Sequence, residues 1–375
     1  EVRPRFGPSY AHILLTGDAL ATSLQGGAEF RGRLREGYVG IGNERIDLRI
    51  GQQIIPWGNA DVVSPSDLLT VRDLTFFSAD PEANRLGVLS ARASWTPVGP
   101  LNLVLVWTPV APASTLLVPP GLLPPNVTLQ SLRQPSPTLA NSEVAARAGL
   151  TGHGWDIAVL GFRGWNHTPE FELRGIEPAG QIDIGTTQHA YLAAGLEGSA
   201  SLSRWVFRLE STFVRTDNPS GNNPLVQPTH WDTVAGAETS FLDQHLRLQG
   251  QALTRIHPGY TSPDAATGPD ATTTVVNLAI AHANAILLNY VSQVRVATSL
   301  RVAYATTNDK FGLEAFGLVD LEGEHDFLIR PLATYHATDA LKFDLGAEIY
   351  GGPKSSPLGA LGDYRSAFAQ ATYEF

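Results

Sequence analysis

The chain has 375 residues, a formal net charge of −10 and no cysteine. Lacking cysteine, it has no disulfide framework, thiolate nucleophile or cysteine-based metal site, and an acidic balance without any basic tract speaks against a nucleic-acid partner. Charged residues are scarce at 17 % and hydrophobic ones make up 43 %, yet mean hydropathy is only −0.04, so apolar and polar positions must be interleaved.

In chain order, "EVRPRFGPSY" lacks the charged-then-apolar pattern of a signal peptide and reads as a mature or trimmed start. Period-two alternation follows. It predicts strands near 9–22, 27–39 and 42–55, the last holding "ERIDLRIGQQII" with Arg45, Asp47 and Arg49 on one face and Ile46, Leu48 and Ile50 on the other. Further strands are predicted near 88–97, 101–110, 142–151, 154–165, 187–199, 203–216, 231–241 and 244–257. Five more come near 295–307, 310–319, 325–336, 339–350 and 364–375. Thr274 to Val291 is the most apolar run, but His282 and three asparagines interrupt it, and it falls short of a spanning helix of about 20 apolar residues. It reads either as a loop-borne helix folded inward or as a hairpin. Methionine is absent too, for no evident physical reason.

The connections have a rhythm. Short ones such as "TPVGPL", "LTGHGW" and "GSASLS" carry turn residues. Long ones, near 56–87, 109–141, 167–187, 216–230, 257–270 and 351–363, alternate with them. Short turns alternating with long loops, and strands with one apolar and one charged face, predict an all-β chain: a single closed antiparallel transmembrane β-barrel with short periplasmic turns and long outer loops. Closure is required because lipid leaves no free sheet edge satisfied. The count is about 16 strands if 274–291 is helical and about 18 if it is a hairpin. No linker divides the chain, so 1–375 is expected to be one domain.

The most individual stretch is Leu48 to Val88. Its residues Arg49, Gly51, Gln53, Trp57, Gly58, Asp61, Ser64, Pro65, Asp67, Arg72, Asp73, Glu82, Arg85, Leu86 and Gly87 form an R-x-G-x-Q, W-G, S-P, R-L-G pattern. This pattern resembles bacterial outer-membrane porin-like families, including the alginate-export-like proteins and an uncharacterised group beside them. Gln52 and Ser64 depart from it, where Arg and Asn are usual. The likeness covers about the first third of the chain and the C-terminal strand. It implies an outer-membrane channel whose first long loop, 56–87, folds inward. The residues themselves agree: a loop of about 30 residues is usually functional, and Trp57 with the charges Asp61, Asp67, Arg72, Asp73, Glu82 and Arg85 suits a constriction inside a polar lumen.

A basic ladder is the second feature. Arg31, Arg33 and Arg35 share one face, and Arg45, Asp47 and Arg49 lie on the partner strand, with Arg92 and Arg208 placed likewise further on. These are the expected pore-lining residues, and rings of charge set ion preference; cross-strand pairing with inward acids such as Glu210, Glu238, Asp344 and Glu348 is the competing role. No catalytic, metal or cofactor site is expected. There is no G-x-S-x-G elbow or H-E-x-x-H helix, although His230 with Asp232, Asp264 and Asp270 could be drawn into a rim site.

The final strand ends on Phe375. Ala367, Ala369, Ala371, Tyr373 and Phe375 would meet lipid, with the last two in an interfacial aromatic girdle. Such an end resembles the signal read by outer-membrane assembly machinery. Phe368 falls on the polar face and must fill lumen space. The expected function is passive diffusion of small hydrophilic or amphipathic solutes across a bacterial outer membrane, with a mild anion preference. Two alternatives are a rim-located hydrolase and a plugged structural barrel that binds a partner or another copy through the apolar loop 111–139.

Overall fold

The alternating segments become strands because each can bury one face and present the other. β1 spans Ser9–Leu24, β2 Gly27–Gly42, β3 Ile46–Gln53, β4 Val88–Val98, β5 Leu101–Thr108, β6 Glu143–Gly152, β7 Trp155–Trp165 and β8 Ala190–Leu202. β9 spans Trp205–Arg215, β10 His230–Phe241, β11 Leu246–Ile256, β12 Val294–Ala305, β13 Phe311–Asp320, β14 Phe327–His336, β15 Leu341–Gly351 and β16 Ser366–Tyr373. The computed structural model describes residues 5–6, 9–24, 27–60, 63–75, 84–116, 123–323 and 325–373, without the side chains of 5–6 and 18–31. The chain divides into two compact units. The described part of the first lies within 5–58, 66–75 and 84–196, that of the second within 59–65 and 197–373.

In the first unit β1 to β7 form a meander, each strand antiparallel to the next. In the second, β9 to β16 do the same. Short turns use left-handed residues, as tight hairpins require: Gly154 in the β6–β7 turn, Ser203 between β8 and β9, and Leu242, Asp243 and Gln244 between β10 and β11.

Burial is inverted relative to a water-soluble sheet. On β15, Leu345 is 64 % exposed while its neighbour Asp344 is 5 % exposed, and Glu348 is buried beside exposed Ile349. Ile13, Leu15, Val39, Ile41, Ile50, Ile157, Val159, Leu209 and Leu300 are exposed in the same way. The face opposite these residues, the inner face, carries the charges. Exposed aromatics sit at strand ends. Trp95, Trp155, Trp205, Tyr304, Phe311, Tyr335 and Tyr373 adjoin the short-turn side, and Trp107, Phe213 and Trp231 adjoin long loops.

The stretch left open between helix and hairpin is helical. α1 runs Ala271–Leu287, with the Asp270 carboxylate accepting from Thr273 N at 2.8 Å as its N-cap. Val276, Ile280, Ala281, Asn284 and Ala285 make its buried stripe, and Asn289, at φ 59°, turns the chain out of it. Among the described residues the long wall strands therefore number sixteen, the count expected with 274–291 helical.

Three long connections are more regular than their composition suggested. Glu170–Ile176 and Ile182–Thr187 form a hairpin, and Val127–Arg133 adds to it in parallel. Val71–Arg72 also pairs with Arg85–Leu86 inside the first long loop.

Candidate functional site

The first long loop leaves β3 through glycines and amides that fit the wall closely. Gly51 has φ +137°, and a β-carbon there would collide with Gly37 O and Tyr38, so glycine is required. Buried Gln53 donates its amide to Ser90 O at 3.0 Å on β4, and Glu36 on β2 accepts Ile54 N at 2.9 Å. Gly87, where the loop rejoins the sheet, lies against Arg35 O with no room for a side chain.

Within the first unit two aspartates organise the loop. Asp67 Oδ1 accepts Thr70 Oγ1 at 2.6 Å and the backbone N–H of buried Trp57 at 3.3 Å. Its Oδ2 stands 3.3 Å from Arg85 Nη2 and 3.6 Å from Arg72 Nη2. Asp73 Oδ1 accepts Thr75 N at 3.0 Å, and its Oδ2 accepts Arg33 Nη1 at 2.9 Å. Arg33 belongs to β2, so this pair clips the loop to the inner wall.

The neighbouring loops reinforce the clip. Leu74 N donates to Thr115 O and Thr115 N to Arg72 O, at 2.9 and 3.0 Å, while Ser114 N donates to His167 O at 2.7 Å. The His167 imidazole lies 3.1 Å from Glu143 Oε1. Burial alone would pull this histidine down; the adjacent carboxylate outweighs it, aided by the Thr70 backbone, and holds the imidazole above its ordinary value.

In the second unit the loop residues Asn59, Ala60 and Ser64 meet Glu210, a fully buried carboxylate on β9. Asn59 N and Ala60 N both donate to Glu210 Oε1, the second at 2.5 Å, and Ser64 Oγ donates to Oε2 at 2.6 Å. Charge-assisted bonds of this kind are the strong ones. The rest of this inner face is laced across strands. Arg208 pairs with Glu238 at 2.9 Å, Arg255 holds Asp232 in a fork at 2.6 Å on each oxygen, and Arg301 stands 3.4 Å from Glu314.

Several residues expected to line a pore lie on the inner face, paired or crowded. Asp47 joins Arg49 at 2.6 Å and Tyr10 Oη at 2.8 Å, Arg49 also reaches Tyr38 Oη, and Arg92 stands directly opposite Arg49 in register. Arg35 is half-buried on β2. Arg45 sits instead in the exposed β2–β3 turn. The side chain of Arg31, and Asp61, Glu82 and Phe375, lie outside the described residues. Sequence reasoning listed Glu210 only as an inward acid and passed over Glu36 and Glu143. Their partners lie far along the chain, so no local pattern marks them.

The rim site drawn from His230 does not assemble. His230 Nε2 is 3.9 Å from Asp232 Oδ2, whose carboxylate is taken by Arg255. Asp264 pairs with His282 at 2.9 Å, and Asp270 caps α1. Among the described residues no group of His, Asp and Glu is arranged to hold a metal ion.

No family model and no curated protein matches this chain. Solved structures do. Pseudomonas aeruginosa OccK9 (OpdG) superposes with a TM-score of 0.56 at 9 % identity, covering 98 % of this chain and 87 % of that one. Pseudomonas aeruginosa OccK5 (OpdH) gives 0.52 at 8 %, over 99 % and 89 %. Acinetobacter baumannii OccAB2 gives 0.52 at 8 %, over 98 % and 87 %. These are outer-membrane porins, and the chain shares their β-barrel fold.

Proposed function

We propose that the protein is an outer-membrane channel through which small hydrophilic or amphipathic solutes diffuse passively, with 56–87 as its constriction. The observation that carries this is the inverted burial: exposed Leu345 beside buried Asp344 repeats strand after strand, which suits lipid outside and a polar lumen inside. Exposed aromatics at both strand ends suit the two interfaces. The aromatic C-terminal sequence ending at Phe375 supports recognition by the outer-membrane assembly machinery.

Glu210 and Arg33 hold the first long loop to the inner face at separate points, which supports a fixed constriction over a mobile outer loop. The facing pair Arg49 and Arg92 supports a mild anion preference, tempered by Asp47. No cofactor enters this reading. The R-x-G-x-Q pattern supports kinship with the alginate-export-like group through positions that the loop geometry needs, Gly51, Gln53 and Gly87. Loop 111–139 keeps a contact role in the proposal through its exposed Leu139, on a partner or another copy.

The test is conductance of the purified protein in planar bilayers under a salt gradient. Steady ohmic steps with a reversal potential on the anion side are expected. Folded protein that never conducts would sink the channel reading and favour the plugged, structural barrel.

A further inference from the structure

The second unit contains a cavity of about 240 Å³ on the inner face of β10 to β13. Its charges run across four strands. Asp232 faces Arg255 in register and Arg255 faces Arg295. Each guanidinium has its own acid: Arg255 holds Asp232 in a fork and gives its remaining Nη1 to Leu288 O at 2.6 Å, while Arg295 Nη2 closes onto Asp320. The third carboxylate, Asp326, has no such partner. It is 1 % exposed; Oδ2 accepts Leu358 N at 2.8 Å, and Oδ1 accepts no hydrogen bond and stands 3.9 Å from Arg295 Nη2, which closes on Asp320, while Arg295 Nε has no acceptor. Asn289, in the turn that ends α1, also leaves its side-chain oxygen without a donor. Both residues line the cavity, whose remaining walls include Val63, Leu253, Ile286, Leu287 and Leu318.

From this we infer a binding site for a small organic ammonium ion, a cationic amine on a compact apolar body. Three carboxylates against two guanidiniums leave one negative charge. Two of the three unfilled positions, Asp326 Oδ1 and Asn289 Oδ1, are acceptors and the third, Arg295 Nε, is a donor; the surplus negative charge with the two acceptors calls for a group that is a donor and a cation. An ionised carboxylate buried without a full set of donors is costly, and an N–H⁺ group would supply them. The apolar walls ask for carbon on the other side of that group, which separates the ligand from a hydrated metal ion. The volume equals about eight waters at about 30 Å³ each, enough for one ring or a short chain. The site is argued from the cavity and does not depend on conduction.

The test uses the full chain folded in detergent and titrated calorimetrically with benzylammonium, with benzyl alcohol, benzoate and ammonium chloride as separate probes. Benzylammonium is expected to bind, and each of the other three about tenfold or more weaker, the loss of one charge-assisted hydrogen bond or of the apolar contact. Asp326→Asn keeps the acceptor for Leu358 N and should cost a similar factor; Ala297→Leu should block the site by filling it. The inference is overturned if benzoate or ammonium chloride matches benzylammonium, if no probe binds, or if both variants, still folded, bind as the parent does. Silence in calorimetry from protein that conducts would remove this site and leave the channel reading intact; binding by protein that never conducts would do the reverse.

Discussion

The inner faces of the two units carry similar arginines but find their counter-charges differently. In the first unit Arg33 meets Asp73, 40 residues on and carried by the inserted loop, and that loop closes its own Arg72 and Arg85 onto Asp67. In the second unit Arg208, Arg255 and Arg301 each meet an acid on the adjacent strand. Glu210 is the exception, spending its carboxylate on loop backbone. The first pattern fixes a loop to a wall, whereas the second stiffens the wall itself. Loop-to-wall bonds should therefore govern conductance, and wall-to-wall bonds stability.

The hardest test of that division is Glu210→Ala. It strips three donors of their acceptor, and at about 1.5–3 kcal/mol for each bond to a charged group the segment 59–64 should detach. Single-channel conductance should rise and become noisy; an unchanged conductance would break the comparison. Next comes Glu314→Gln, which leaves Arg301 and Arg330 without their carboxylate. It should lower stability by about 1–2 kcal/mol, read as an earlier heat-induced gel shift, with conductance as in the parent.

Asp73→Asn is milder, because an amide oxygen still accepts from Arg33. A loss of about 1 kcal/mol of loop anchoring should show as brief flickering with the mean conductance little altered. The smallest effect concerns pH. His167 is held above its ordinary value by Glu143, so its contribution is fully present below the unfolded histidine value of about 6.5. That contribution is lost as pH rises through the higher folded value. Amide exchange at Ser114, whose N–H bonds to His167 O, should be better protected in mildly acidic than in alkaline buffer once intrinsic rates are corrected. His167→Gln should abolish the difference.

The strands were legible because a barrel wall has a repeating sequence signal, apolar out and polar in, that owes nothing to distant partners. Lys342, Asp344 and Glu348 already faced away from Phe343, Leu345 and Ile349 in the bare sequence, and the wall keeps that assignment. The open choice over 274–291 needed tertiary information, since a stripe from Val276 to Ala285 can be packed as a helix or folded as a hairpin. The hairpin Glu170–Ile176 with Ile182–Thr187 did carry an alternating signal. It lies inside the predicted long connection 167–187, and strands of six and seven residues are too short to cross a bilayer, so they add nothing to the wall's signal. The residues that anchor the loop stood out in the sequence, but their pairings did not. Nothing near Glu210 says that it will take up residues 59, 60 and 64, because that pairing depends on where the folded loop lies.

Phe368, the aromatic on the polar face of the last strand, lies directly opposite Gly346, where a β-carbon would come within 2.5 Å of its ring. His12 opposite Gly40, Tyr10 opposite Gly42 and Phe327 opposite Gly351 repeat the arrangement. Each glycine is a slot cut to one ring, so a strand that zips up one residue out of step meets a side chain where it needs a gap. The final strand thus carries its own alignment key: a mispaired C-terminus is rejected by shape before any interaction with lipid can reward it.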